Sequence, residues 1–294
     1  MNTQILIKSS RQSNWDWRAA GNFIGGGSGT GLLIFSAFVA GPDIAYRPLG
    51  AAALVLIALG LFCVWLEIGR PLRAINVFRH AQTSWMTREA MVAPLLFLSG
   101  AFAAWTAGTP WIWLTALLAL LYLYCQARMI HASKGIPAWR AQRTVPLFIA
   151  TGLTEGAGLL LLALALSGAM PQMHWTAAAL VPLLIVRALL WRAYRMELAG
   201  SGTPQQTLKV LDAIELPLVK VGHWAVVMLL LLALIVPAPI GAWLAGVAGV
   251  LAAAGGWLLK YTVIVHASFK QAYALPRLPV RGSGMPSGQI GAKS

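Results

Sequence analysis

An all-α, polytopic integral membrane bundle of eight transmembrane helices is the fold class that this sequence predicts, on three observations. Of its 294 residues, 59% are hydrophobic and only 10% are charged, whereas a soluble domain carries roughly 25% charged residues. The mean hydropathy is +0.72, and the apolar residues gather in eight runs close to the ~20 residues that a helix needs to cross hydrocarbon. Pro42, Pro48, Pro110, Pro171, Pro237 and Pro239 stand between the runs, where a residue without an N–H ends a helix cheaply. Runs of this length are too long for barrel strands, and backbone in lipid must be paired internally, so each run is read as a helix.

Residues 1–18 form a polar segment with Lys8, Arg11 and Asp16. It lacks the apolar core and small-residue cleavage site of a secretory signal and is expected to remain attached. The runs follow at Ala19 to Ala40, Leu49 to Ile68, Ala90 to Ala107, Trp111 to Met129, Val145 to Leu166, Trp175 to Ala193, Leu216 to Val236 and Ile240 to Val265. No repeat of 20 to 50 residues and no Pro/Ser-rich linker divides them, so residues 19–270 are read as one anchor domain. Residues 271–294, with the stretch Arg-Gly-Ser-Gly-Met-Pro-Ser-Gly after Val280, are read as a disordered tail.

An even number of crossings puts both termini on one side. Arg47 alone lies opposite and Arg187 and Lys260 fall inside runs, which leaves 19 of the 22 Lys and Arg residues on the side of the termini. The positive-inside rule then predicts cytoplasmic termini. The net charge of +14 is not that of a nucleic-acid binder, because the basic residues alternate with apolar spans rather than lining a groove with stacking aromatics. Cys63 and Cys125 sit singly in apolar stretches, which supports neither a disulfide framework nor a metal site. No metal is expected in this chain, and any redox metal belongs to a partner. Trp105, Trp111, Trp113 and Trp175 at one end, and Trp139, Trp191 and Trp224 towards the other, read as interface anchors.

The stretch from the second run into the third carries the most chemistry: Leu66-Glu67-Ile68-Gly69-Arg70-Pro71-Leu72-Arg73-Ala74-Ile75-Asn76, then Ser84-Trp85-Met86-Thr87-Arg88-Glu89. Gly69 and Pro71 end a helix at the interface, and Arg70 and Arg73 place fixed positive forks there. Ser84 reads as an N-cap with Glu89 as an acidic residue in the first turn. A quinone ring needs an apolar slot and a donor or titratable group at each carbonyl, which Glu67, Glu89, Arg70 and Arg73 would supply beside lipid. Snorkelling arginines and capping groups explain the same residues structurally. Asn22, before the run Gly25-Gly26-Gly27-Ser28-Gly29-Thr30-Gly31, is a candidate supporting donor. That run reads as a close-packing face rather than a nucleotide loop, since no strand precedes it.

These motifs resemble a family. Gly-Arg-Pro-x-Arg-Ala-x-Asn after the second helix, Ser-Trp-x-x-Arg-Glu opening the third, and Trp-x-Trp before a Gly-rich first helix are similar to the membrane anchor subunit of dimethyl sulfoxide reductase-type complexes, within the wider NrfD-like group. The resemblance implies a complex of a molybdopterin catalytic subunit, a four-cluster iron-sulfur subunit and this anchor, which would bind menaquinone or ubiquinone beneath the iron-sulfur subunit. Glu89 matches the acidic position that the family associates with quinone. Where the family anchor has a histidine two residues before Gly-Arg-Pro, this chain has Glu67. Arg79, Arg88, Arg140 and Arg143 are candidate docking residues for the iron-sulfur partner. If the catalytic subunits are cytoplasmic, a CoA thioester such as phenylacetyl-CoA becomes a candidate substrate, with reduction of S/N-oxides or sulfur compounds as the other option. Two further readings compete. His131, His223 and His266, near the same helix ends, would suit a haem b cytochrome. Glu155 and Arg187, inside spans and able to form a slanted ion pair, would suit a secondary transporter or a proton path.

Overall fold

The structure is a computed structural model and describes residues 5–7, 9–41, 44–68, 76–78, 81–271 and 273–275. Among the described residues ten α-helices follow one another: α1 (Trp17–Val39), α2 (Tyr46–Glu67), α3 (Trp85–Thr106), α4 (Thr109–Ala132), the single turn α5 (Pro137–Arg140), α6 (Thr144–Ser167), α7 (Met170–Gly200), α8 (Gln205–Val219), α9 (Val226–Ile235) and α10 (Ala238–Tyr261). A π turn at Lys220–Ala225 joins α8 to α9, and a second at Thr262–His266 ends α10. With α8 and α9 counted as one rod, eight helices among the described residues are long and apolar enough to cross a membrane.

The ends differ from expectation where amphipathic turns extend an apolar run. The sixth span continues to Gly200, and the seventh begins at Gln205 rather than Leu216, because its first turns pair Leu208 and Leu211 inward with polar residues outward. The π turn after α8 follows Pro217, whose missing N–H interrupts the ladder. Within the stretch read as a tail, Tyr273–Leu275 pairs antiparallel with Ile5–Ile7; residues 276–294 lie outside the described residues.

The first four spans form a ring in which α1 packs on α2 and α4, and α3 bridges those two; in the second half α10 packs between α6 and α9, and α6 also carries α7. The halves meet where α1 lies against α6 and α10. Glycines permit that contact. A Cβ at Gly31 would enter the backbone of Gly152 and Gly156 on α6, and one at Gly25 the backbone of Leu56 and Gly60 on α2, as small residues allow in membrane helices.

The end that carries the termini is tied down by specific bonds. Gln12 reaches the Trp15 and Ile264 carbonyls and the Ser268 hydroxyl, and Trp15 stacks on Trp139 with ring centroids 4.9 Å apart. Trp139 is not an interface anchor. It is buried and donates from Nε1 to the Val263 carbonyl at 2.9 Å, which locks the α4–α6 connection under the bundle. Trp191 is buried as well, whereas Trp105, Trp111, Trp113, Trp175 and Trp224 are exposed.

Candidate functional site

Two buried polar clusters share helix α1. The first gathers around Glu89, only 4% exposed. Ser84 is indeed the N-cap of α3, accepting from the Thr87 N–H, but Glu89 lies beyond the first turn and points into the bundle rather than capping it. Its Oε1 accepts from Gln126 Nε2 at 3.0 Å and more loosely from Asn22 Nδ2 at 3.4 Å. Gln126 also donates to the Asn22 carbonyl at 3.2 Å, which holds α4 against α1. The Tyr122 hydroxyl, one turn before Gln126, faces the same carboxyl, and among the described residues Asn22 Oδ1 and Gln126 Oε1 are buried without a hydrogen-bond partner.

A cavity of about 610 Å³ opens beside this cluster, lined at its polar end by Asn22, Glu67 and Glu89 and along its walls by Leu61, Val64, Trp65, Met86, Ala90 and Met129, with Trp15 closing the side of the termini. Its position explains the local sequence. The Thr87 hydroxyl donates to the Val77 carbonyl at 2.6 Å, and Arg88 donates to the Ala81 and Gln82 carbonyls, so the start of α3 fastens the preceding loop, whose Val77 also lines the cavity. Arg18, opening α1, donates to the Leu66 carbonyl at 3.0 Å and holds the end of α2, where Glu67 stands. The Asp16 carboxylate accepts from the Arg18 backbone and side chain and is held below the ordinary carboxylate range by that guanidinium.

The structure thus brings together Asn22, Glu67 and Glu89 of the expected ring-binding residues. Arg70, Arg73 and Arg79 lie outside the described residues. Of the expected docking residues, Arg88 is turned back over the Trp85 ring, 4.1 Å from its centroid. Arg140 is tied to the Lys134 carbonyl and to Gln271, and Arg143 is exposed. Gln126 and Tyr122 were not anticipated, although an amide standing in an apolar span is itself a signal.

The second cluster lies on the adjoining face of α1. Glu155 and Lys260, 0% and 1% exposed, pair at 2.7 Å. Lys260 Nζ also donates to the Phe23 carbonyl at 2.9 Å, and Glu155 Oε2 accepts from Ser28, which accepts from Trp257 Nε1. Arg187 is not the partner of Glu155. Its Nη1 and Nη2 donate to the Ala252 and Gly222 carbonyls and its Nε to His223 Nε2, while His223 Nδ1 meets the Leu218 carbonyl. Both ring nitrogens of His223 are therefore engaged. Among the described residues, no group of three His, Cys, Asp or Glu side chains is placed to hold a metal ion.

The chain matches the DMSO reductase anchor subunit (DmsC) family over residues 23–256, well over half its length. It belongs to that family. The matched stretch contains Glu67, Glu89, Gln126, Glu155 and Arg187, and begins directly after Asn22. The chain is accordingly a multi-pass membrane anchor of a DMSO reductase-type molybdoenzyme complex, partnered with catalytic molybdenum and iron-sulfur subunits; anchors of this family are associated with quinone. No curated protein matches the chain.

Proposed function

We propose that this anchor binds a membrane quinone in the Asn22–Glu67–Glu89 cavity and passes electrons between it and the four-cluster iron-sulfur subunit. The observation that carries the reading is that the buried Glu89 carboxyl, the Asn22 amide and Glu67 line one apolar cavity of about 610 Å³, a slot with a few polar groups of the kind that a flat ring with polar edges requires. A bound menaquinone or ubiquinone supplies two-electron, two-proton chemistry. This chain supplies the rest. Leu61, Val64, Met86 and Met129 exclude water from the ring's faces, and the Asn22 amide orients one polar edge. Both amide donors go to Glu89 Oε1, which leaves Oε2 as the oxygen for proton exchange. Glu67, at the cavity mouth and half-buried, is the next carboxyl towards water and a candidate to pass protons onward. Arg70 and Arg73 follow it in sequence and would offset negative charge developing on the ring oxygen.

Glu89→Gln tests the reading, since it keeps size and hydrogen bonding while removing the titratable group. The complex is expected to assemble and to keep its activity with artificial dyes, with quinone-linked turnover falling by about 10² or more. Unchanged quinone turnover in the assembled variant refutes the role.

The basic face supports cytoplasmic termini in a bacterial inner membrane, with residues 1–18 and 271–294 on that side and Arg79, Arg88, Arg140 and Arg143 towards the iron-sulfur subunit. Reporter fusions at Gly135 and Gly202 should then read as cytoplasmic and one near Pro239 as external; the reverse would make the basic face a docking surface only. With catalytic subunits in the cytoplasm, oxidation of a CoA thioester such as phenylacetyl-CoA is the candidate overall reaction and S/N-oxide or sulfur-compound reduction the alternative. The subunits that copurify with the anchor distinguish the two.

A further inference from the structure

The two polar clusters are nearer to each other than their places in the sequence suggest. Gln126 and Lys260 donate to successive carbonyls of α1, those of Asn22 and Phe23. Successive glycines make room for them: a Cβ at Gly26 would strike the Gln126 amide, and one at Gly27 would strike Lys260 Nζ and come within 3.3 Å of Glu155 Oε2. The Glu89 network and the Glu155–Lys260 pair therefore sit at one depth of the membrane on adjoining faces of a single bare stretch of helix. Their separation is of the order of one helix diameter, about 10 Å.

Their charges are also complementary. Among the described residues, the buried side chains that ordinarily carry charge are two carboxylates, Glu89 and Glu155, and two cations, Arg187 and Lys260. His223 accepts from Arg187 at Nε2 and is therefore neutral, with its proton on Nδ1 towards the Leu218 carbonyl. Lys260 is matched by Glu155, but the bonds of Arg187 all go to neutral acceptors. The second cluster thus holds one positive charge more than its own carboxylate matches, and Glu89 is the buried carboxylate on the adjoining face of α1. In a low-dielectric interior, charges at such a distance still interact appreciably.

We infer that Lys260 and Arg187 act as positioning charges that set the proton affinity of Glu89 through α1, with Glu155 opposing them. The inference rests on Glu89 being the proton-exchanging group of the ring site. Other titratable groups stand close to Glu89: Tyr122 and Cys125 from α4, and Glu67 of α2 on the wall of the same cavity, while Arg88 on its own helix is turned back over Trp85. None of them belongs to the second cluster, so substitutions there leave the immediate surroundings of Glu89 unchanged.

The test follows the infrared carbonyl band of the protonated Glu89 carboxyl against pH, in the assembled complex reconstituted in lipid, with the band identified by its loss in Glu89→Gln. Lys260→Gln is expected to move the midpoint upward by about one pH unit, and Glu155→Gln to move it downward by a similar amount. The double substitution should bring it back near the unsubstituted value. Each single change at the pair leaves a buried charge alone, so Arg187→Gln supplies the same measurement without one, and its midpoint should also rise. The acid limb of the pH profile of quinone-linked turnover should move in the same directions. Shifts of the same sign in all variants, or of none, overturn the inference and leave the pair as a structural clamp. A titrating band that survives in Glu89→Gln overturns the reading of Glu89 itself, and with it this inference.

Discussion

The two buried carboxylates, Glu89 and Glu155, stand on neighbouring faces of α1 under opposite constraints. Glu155 is sealed at the meeting of the two helical halves. Its Oε2 accepts from an ammonium and a hydroxyl, the ammonium is itself tied to a backbone carbonyl, and the absence of a Cβ at Gly256 on α10 leaves room for the carboxyl, whose Oε1 has no partner among the described residues. Among the described residues Glu89 accepts from the neutral amides of Asn22 and Gln126, and it lines an open cavity together with Asn22 and Glu67. A carboxylate clamped by a cation between helices holds the halves together. One with neutral donors beside a cavity stands where the proposed proton-exchanging group would have to be. The difference lies in the company each side chain keeps, since both are glutamates in apolar spans.

Breaking the ion pair should have the largest effect on stability. Lys260→Met strands Glu155 without its cation and is expected to cost about 3–5 kcal/mol, read as a lower melting temperature of the purified anchor, whereas Glu89→Gln should stay within about 1 kcal/mol. Equal losses would show that the two carboxylates do the same structural work. Gly27→Ala sharpens the contrast without touching a charge, because its methyl group would displace Lys260 from Glu155; a loss of about 1–3 kcal/mol is expected. Gly41→Ala, with nothing near its Cβ, is the neutral control.

The smallest effect should come from the start of α1, the helix both clusters share. Asp16→Ala removes its N-cap and should cost about 1 kcal/mol or less at neutral pH. Because the folded Asp16 carboxylate is held below its ordinary range by Arg18, the cap's contribution is complete above the unfolded carboxylate range and is lost as pH falls through the folded value. The melting difference between Asp16→Ala and the unsubstituted protein should therefore vanish on acidification.

The eight spans were legible because hydrocarbon imposes a length and a composition on each one, independent of its neighbours. Span ends were less so: the turns from Gln205 to Leu211 are amphipathic and carry no continuous apolar signal. At the site, Glu89 and Asn22 could be singled out as polar residues in or beside apolar spans, and Ser84 as a cap from its spacing. The orientation of Glu89 away from that cap could not, because it depends on where α4 and α1 pack. Trp139 looked like an interface anchor for the same reason, since a buried and a snorkelling tryptophan are identical in sequence.

Composition and period therefore specified the bundle, the shared side of the termini, the basic face and the glycine face of α1, all of which follow from local transfer energies and backbone sterics. Pairing was decided in three dimensions. Glu155 was as compatible with Arg187 as with Lys260 until helix packing brought Lys260 Nζ to 2.7 Å and turned Arg187 towards carbonyls of Gly222 and Ala252. The choice among buried partners depends on distances of a few ångströms between helices far apart in sequence, and low-dielectric electrostatics are steep on that scale.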